Sequence, residues 1–146
     1  MSLSKIVGRP VPFAELLGIR IAHREPGLAR VELDARPELM NSHQAAHGGV
    51  VMTLADVALA VAAMTLDPQS RGAVTVELKV SFIQPGTGTL VAEGRCVHAG
   101  KSLSFSEGEV RDGEGNLVAK ALGTFRLRYG RSPSGDVVLP DEGKKD

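Results

Sequence analysis

Two hydrophobic periods share the chain. From Gly18 to His23 and from Leu28 to Ala35 apolar and polar residues alternate, and a Glu25-Pro26-Gly27 turn splits the two runs. In the second run Ala29, Val31, Leu33 and Ala35 face one way, and Arg30, Glu32, Asp34 and Arg36 face the other. A period of two predicts two strands of an antiparallel sheet. Before them, Pro10 to Leu17 reads as a short helical or irregular lead-in. After them, a loop from Pro37 to Ala46 leads into a different pattern. Val50 to Met64 is apolar on nearly every side, with Asp56 in its middle, Gly48 and Gly49 at its start and Asp67-Pro68-Gln69-Ser70 at its end. This predicts one helix over roughly residues 48–66, buried because it has no polar face.

The remainder returns to a period of two. Val74 to Phe82 alternates strictly, which predicts Val76, Leu78, Val80 and Phe82 on the buried face. Pro85-Gly86-Thr87-Gly88 is a turn, Thr89 to His98 a strand, and Ala99-Gly100-Lys101 a turn. Ser102 to Arg111 is a third strand, closed by Asp112-Gly113-Glu114-Gly115. Leu117 to Arg128 is the last, with Leu117, Ala119, Ala121, Phe125 and Leu127 on one face. Strands, one long apolar helix and then an antiparallel meander define an α+β fold. One sheet face wraps the helix, and the other is solvated or packs on another copy. Residues 1–129 form a single domain, and the polar segment 130–146, with Pro133 and Pro140, is expected to be a flexible tail.

Composition narrows the function. A chain of 146 residues is long enough for one core. Its 17 basic and 17 acidic residues cancel, which argues against a nucleic-acid or anionic-membrane partner. Arg126, Arg128 and Arg131 read as a solvated face. Aromatics make up 3% of the chain, too few for base-stacking platforms. The single cysteine, Cys96, leaves no internal disulfide and no thiolate cluster, and its place in a strand reads as a small core position. His43 and His47 share the i, i+4 spacing of a zinc pair but lack the HExxH glutamate, so no metal or cofactor is expected. Met1 to Phe13 holds no long apolar stretch, and the run from Val50 to Leu66 is short for a membrane span and broken by Asp56. The expected location is the cytoplasm.

The chemistry concentrates at the helix. Its start, at Gly48, offers backbone N–H groups without intrahelical partners and the positive end of the dipole. Asp56 inside an apolar helix is costly unless paired or used. An anion-stabilising helix end and a carboxylate are two parts of an acyl-transfer site. Acyl transfer builds negative charge on the carbonyl oxygen, which a preorganised N–H stabilises. The carboxylate can activate water or attack directly. Gly48 and Asp56 are eight residues apart, roughly 12 Å along a helix axis at about 1.5 Å per residue. An aspartate side chain cannot span that distance, so the pattern calls for two chains per site.

The segments HGGVVMTLAD, VTVELKVSFIQP, GKSLSF and LVAKALGTF occur in this order. Between about Phe13 and Leu127 the chain resembles the acyl-CoA thioesterases of the phenylacetate-degradation and 4-hydroxybenzoyl-CoA type. The resemblance implies the hotdog fold, an acyl-CoA substrate hydrolysed to free acid and CoA, and a homo-oligomer, either a dimer or a dimer of dimers (a homotetramer). It implies Asp56 as the catalytic carboxylate and Gly48 as the residue whose N–H polarises the thioester carbonyl. Asn41 would lie near the carbonyl and attacking water, and the Thr75 hydroxyl would position water or the carboxylate. His47 and Gly49 complete the motif. Gln44 stands where such proteins often carry glycine, three residues before the motif histidine.

Plainer roles compete at several positions. His47 can be a loop anchor bonded to backbone, Asp56 a structural carboxylate, and Thr75 an ordinary strand residue. Lys101 and Ser102 can contact the CoA phosphates or form a solvated turn. Two other classes fit the fold: a hydratase or dehydratase on acyl-CoA or acyl-carrier-protein substrates, and a non-catalytic acyl-CoA-binding protein. The first expects His-x-Pro-Gly or a histidine soon after the acid, and neither follows His47 or Asp56 here.

Overall fold

The computed structural model describes residues 1–130; residues 131–146, nearly all of the expected tail and with it Arg131, lie outside the described residues. The elements run α1 (Leu3–Val7), α2 (Pro12–Leu17), β1 (Arg20–Glu25), β2 (Leu28–Asp34), α3 (Gly48–Met64), β3 (Gly72–Phe82), β4 (Thr89–Ala99), β5 (Ser104–Arg111) and β6 (Leu117–Arg128). A single 3-10 turn, Pro37–Leu39, interrupts the loop before α3. The six strands form one antiparallel sheet in the order β1-β2-β4-β5-β6-β3. The α3 helix packs against every strand of one face. This is the α+β arrangement that the alternating and all-apolar patterns predict.

The helix can approach the sheet closely because small residues lie beneath it. A Cβ at Gly94 would sit 2.5 Å from the Ala58 carbonyl oxygen, inside van der Waals contact. Leu33, Leu54, Leu59, Leu90 and Phe125 close the core around that seam with no exposed surface to speak of. The inward set Ala29, Val31, Leu33 and Ala35 is buried as its alternation predicts.

Four differences from the sequence reading have local causes. The α1 helix is too short to show a period. Its signals lie at its ends, where the Ser2 hydroxyl accepts from the Lys5 N–H and Gly8 takes a left-handed φ of 71°. The α3 helix stops at Met64, two residues early. There the Thr65 hydroxyl donates to the Ala62 carbonyl and accepts from the Gly27 N–H, and the amides of Leu66 and Asp67 turn back to residues three before them. Cys96 is half-buried instead of a core residue, because a register shift between Cys96 and His98 twists that end of β4; its thiol donates to the His98 carbonyl.

The fourth difference matters most. Val76 and Phe82 are not buried: they are 58% and 54% exposed. The register of β3 on β6 shifts between Thr75 and Glu77, so Val76 is an extra residue in a bulge. The bulge inverts the alternation. Leu78 and Val80 pack on the core after it, and Ala73 does so before it, which places Thr75 on the helix side. With strict alternation Thr75 would point away from α3.

Candidate active site

Asp56 lies on the one stripe of α3 that the sheet leaves open. Residues Val50, Val51, Leu54, Ala55, Val57 and Ala58 are buried, whereas Gly49, Met52, Thr53, Asp56 and Ala60 remain partly or fully exposed. The predicted buried carboxylate is therefore half-buried. The Thr75 hydroxyl donates to Asp56 Oδ1 at 2.6 Å. Burial pushes the Asp56 carboxyl above its usual value, and the Thr75 hydrogen bond opposes that rise. The pair opens into a cleft of about 450 Å³ along the start of β3, between α3 and the N-terminal segment. Val57, Ala60 and Val61 line it from the helix, and Val11 and Phe13 from the N-terminal segment.

The start of α3 forms a second cluster. His47 is the N-cap, and its Nδ1 accepts from the Gly49 N–H at 2.9 Å. The amides of Val50 and Val51 both donate to the His47 carbonyl. Of the first four helical amides, Gly48 alone has no partner among the described residues. The Phe82 ring lies over Gly48, 3.5 Å from where a Cβ would be. The loop before it is folded around Asn41, whose Oδ1 accepts from the amides of His43 and Ala45. This leaves the Asn41 Nδ2 to donate elsewhere. Gln44, where glycine was expected, does take a left-handed φ of 61°, a conformation that glycine adopts without penalty. The Asn41 side chain and the Met40–Ala46 bridge hold the loop in this shape.

The two clusters are separate within one chain. Asp56 meets Thr75, and Asn41, His47, Gly48 and Gly49 gather at the helix start, about 12 Å away along the axis. Lys101 and Ser102 are exposed in the turn between β4 and β5. Ser104 pairs with Phe125 and Phe125 with Thr75, so that turn leaves the sheet level with Thr75, two strands or roughly 10 Å across. Two residues escaped the sequence reading. Arg9 and Arg128 line the same cleft as Asp56; the Arg9 Nη2 lies 3.5 Å from the position of a Gly72 Cβ, and Arg128 pairs with Gly72. Arg128 had read as part of a solvated face. Strand alternation gives no sign of where an N-terminal loop arginine will rest.

One apolar helix wrapped by an antiparallel sheet is the hotdog fold, and its open stripe carries the Asp56 carboxylate. Residues 43–119 match the model of the thioesterase superfamily, and the chain belongs to that family. It is 32% identical over 108 residues to the acyl-coenzyme A thioesterase PaaI of Escherichia coli, covering 73% of this chain and 75% of that one. Among solved structures, a variant of the phenylacetic acid degradation protein PaaI from Thermus thermophilus is 34% identical, with a TM-score of 0.71 over 80% of this chain and 98% of that one. A conserved protein of Pseudomonas aeruginosa is 29% identical, with a TM-score of 0.78 over 87% and 99%. The protein is a thioester hydrolase.

Proposed function

We propose that the protein hydrolyses acyl-CoA thioesters at a site shared by two copies of the chain. The substrate class rests on its likeness to the Escherichia coli acyl-coenzyme A thioesterase. The observation that carries the site is the pairing of Asp56 with Thr75 in an apolar cleft, together with a helix whose only unpartnered first-turn amide, among the described residues, belongs to Gly48. Asp56 takes a proton from water, the hydroxide adds to the thioester carbon, and the oxyanion is held by the Gly48 N–H. Collapse breaks the C–S bond, and the proton on Asp56 passes to the CoA sulfur. Direct attack by Asp56 to give an anhydride, later opened by water, uses the same groups. Thr75 positions the carboxylate. The Asn41 amide donates toward the carbonyl or water. His47 acts as the cap that consumes the Gly49 amide, and so it serves the site by position. Lys101 and Ser102, exposed in the turn after β4, take the CoA portion in this reading.

The exposed edge supports the two-chain reading. β3 is an edge strand with one side unpaired, and Val74, Val76, Phe82 and Ile83 are exposed along it. Thr75 marks the Asp56 end of β3, and Phe82 marks the Gly48 end. An antiparallel pairing of two β3 edges centred between Leu78 and Lys79 sets Thr75 of each chain opposite the partner's Phe82. Asp56 of one chain then approaches the partner's Gly48, and the 12 Å gap disappears. We take residues 1–129 as the unit that assembles in this way, as a dimer or a dimer of dimers.

A panel of CoA thioesters, followed by the release of free CoA thiol, tests the reading. Turnover of at least one member, abolished in Asp56→Asn protein, is expected. Binding without thiol release, or hydration of an enoyl-CoA instead, overturns it.

A further inference from the structure

The cleft that holds Asp56 has a second pole. Among its lining residues the charged ones are Asp56, Arg9 and Arg128. Neither arginine has a carboxylate partner among the described residues. Both meet at Gly72. Arg128 is its partner across the ladder, and the Arg9 Nη2 lies 3.5 Å from where a Gly72 Cβ would be, in van der Waals contact. Gly72 itself has a φ of 155°, which side chains rarely adopt. Asp56 is fixed at Thr75, three residues along the same strand. At about 3.3 Å per residue Gly72, where the arginines meet, and Thr75, which holds Asp56, are roughly 10 Å apart along the strand. Between them the walls are apolar, formed by Val57, Ala60, Val61, Ala73 and Val74.

Resting on the acyl-CoA reading above, we infer that Arg9 and Arg128 select an acyl group that ends in a carboxylate. A thioester carbon placed at Asp56 leaves room for a chain of about six carbons before its far end meets the guanidiniums, at standard bond lengths. Arg9 is exposed and Arg128 half-buried, so water solvates both, and a purely hydrocarbon chain of that length would displace that water without replacing its hydrogen bonds. A terminal carboxylate answers both with charge-assisted hydrogen bonds. The CoA phosphates are the other anions in the reaction. An extended pantetheine arm carries the first of them roughly 16 Å from the sulfur, farther than this cleft reaches.

The test compares adipyl-CoA, hexanoyl-CoA and hexanoyl-pantetheine on the full-length protein, its Arg9→Gln and Arg128→Gln variants and the double variant, with Tm measured for each. We expect kcat/KM to favour adipyl-CoA over hexanoyl-CoA by about tenfold, the scale of one added charge-assisted hydrogen bond. The preference should fall with added salt and vanish in the double variant, while hexanoyl-CoA turnover holds. Equal or poorer turnover of adipyl-CoA by the unaltered protein overturns the inference and leaves the thioesterase reading intact. If the variants lose both CoA esters alike and spare hexanoyl-pantetheine, the arginines hold the CoA phosphates and the inference is overturned. If no thioester in the wider panel is cleaved, the acyl-CoA reading falls and takes this one with it.

Discussion

At the scale of residues, the role proposed for Asp56 sets activity against stability. Its carboxyl sits above the usual value because burial disfavours the charge, with Thr75 pulling the other way. A group raised in this way stabilises the fold below its unfolded value, and that stability is lost as pH rises through the folded one. At neutral pH the ionised Asp56 therefore costs stability. Asp56→Asn should lower kcat by at least about 10²-fold, yet raise Tm at pH 7, and the Tm gain should disappear in acid below the ordinary aspartate range. Activity assays and calorimetry across pH check both halves. Thr75→Val removes the hydrogen bond that lowers the Asp56 value, so the acid limb of kcat/KM should move to higher pH, while Thr75→Ser keeps it in place. An unmoved limb in Thr75→Val would make Thr75 a plain strand residue. The sequence carried the types Asp56, Gly48 and His47 by their spacing on one helix. It could not show that the His47 ring takes the Gly49 amide and so singles out Gly48, because that depends on the loop geometry around Asn41.

At the scale of elements, what was legible followed period and what was not followed irregularity. The apolar helix and the meander stand out because burial repeats over many residues. The Val76 bulge does not, since one inserted residue leaves every local preference unchanged and only the pairing with β6 reveals it. Yet that bulge turns Thr75 toward Asp56. The same limit hides the seam under α3: a glycine in a strand signals a bulge or a close approach, and the sequence does not choose between them. At Gly94 it is a close approach. Gly94→Ala would set a methyl group 2.5 Å from the Ala58 oxygen. It should cost about 1–3 kcal/mol by overpacking. Gly113→Ala, whose added carbon would meet only the Thr89 oxygen at 3.9 Å, should stay within about 0.5 kcal/mol. Gly113 lies in the turn after β5, so chemical denaturation of the two variants separates a packing seam from the general effect of replacing a glycine by alanine.

At the scale of the whole molecule, the isolated chain holds two separate clusters, and in the shared site proposed above the free edge of β3 joins them. The mean separation along α3 was readable from sequence, but the edge position of β3 was not, because strand order is a property of the folded sheet. The shared site has a consequence that a one-chain site lacks. Gly48→Pro deletes one N–H at the first residue of α3, where proline is well tolerated, and His47 before it has a ψ of 140°, which a following proline accepts; the added ring meets Phe82, 3.5 Å from the Cβ position, so assembly of the variant is checked first. Asp56→Asn deletes the carboxylate alone. Each variant by itself should form inactive dimers. In a mixed dimer one site combines both lesions, and the other combines an intact Asp56 with an intact Gly48 amide. With random exchange of equal amounts, about half of the dimers are mixed and each has one working site, so activity should return to roughly a quarter of the unaltered level. Mass spectrometry of the mixed population establishes that subunits have exchanged. Exchange without any return of activity means that Asp56 and Gly48 do not meet across the β3 edge. Turnover by a monomer at assay concentration would mean that they need not.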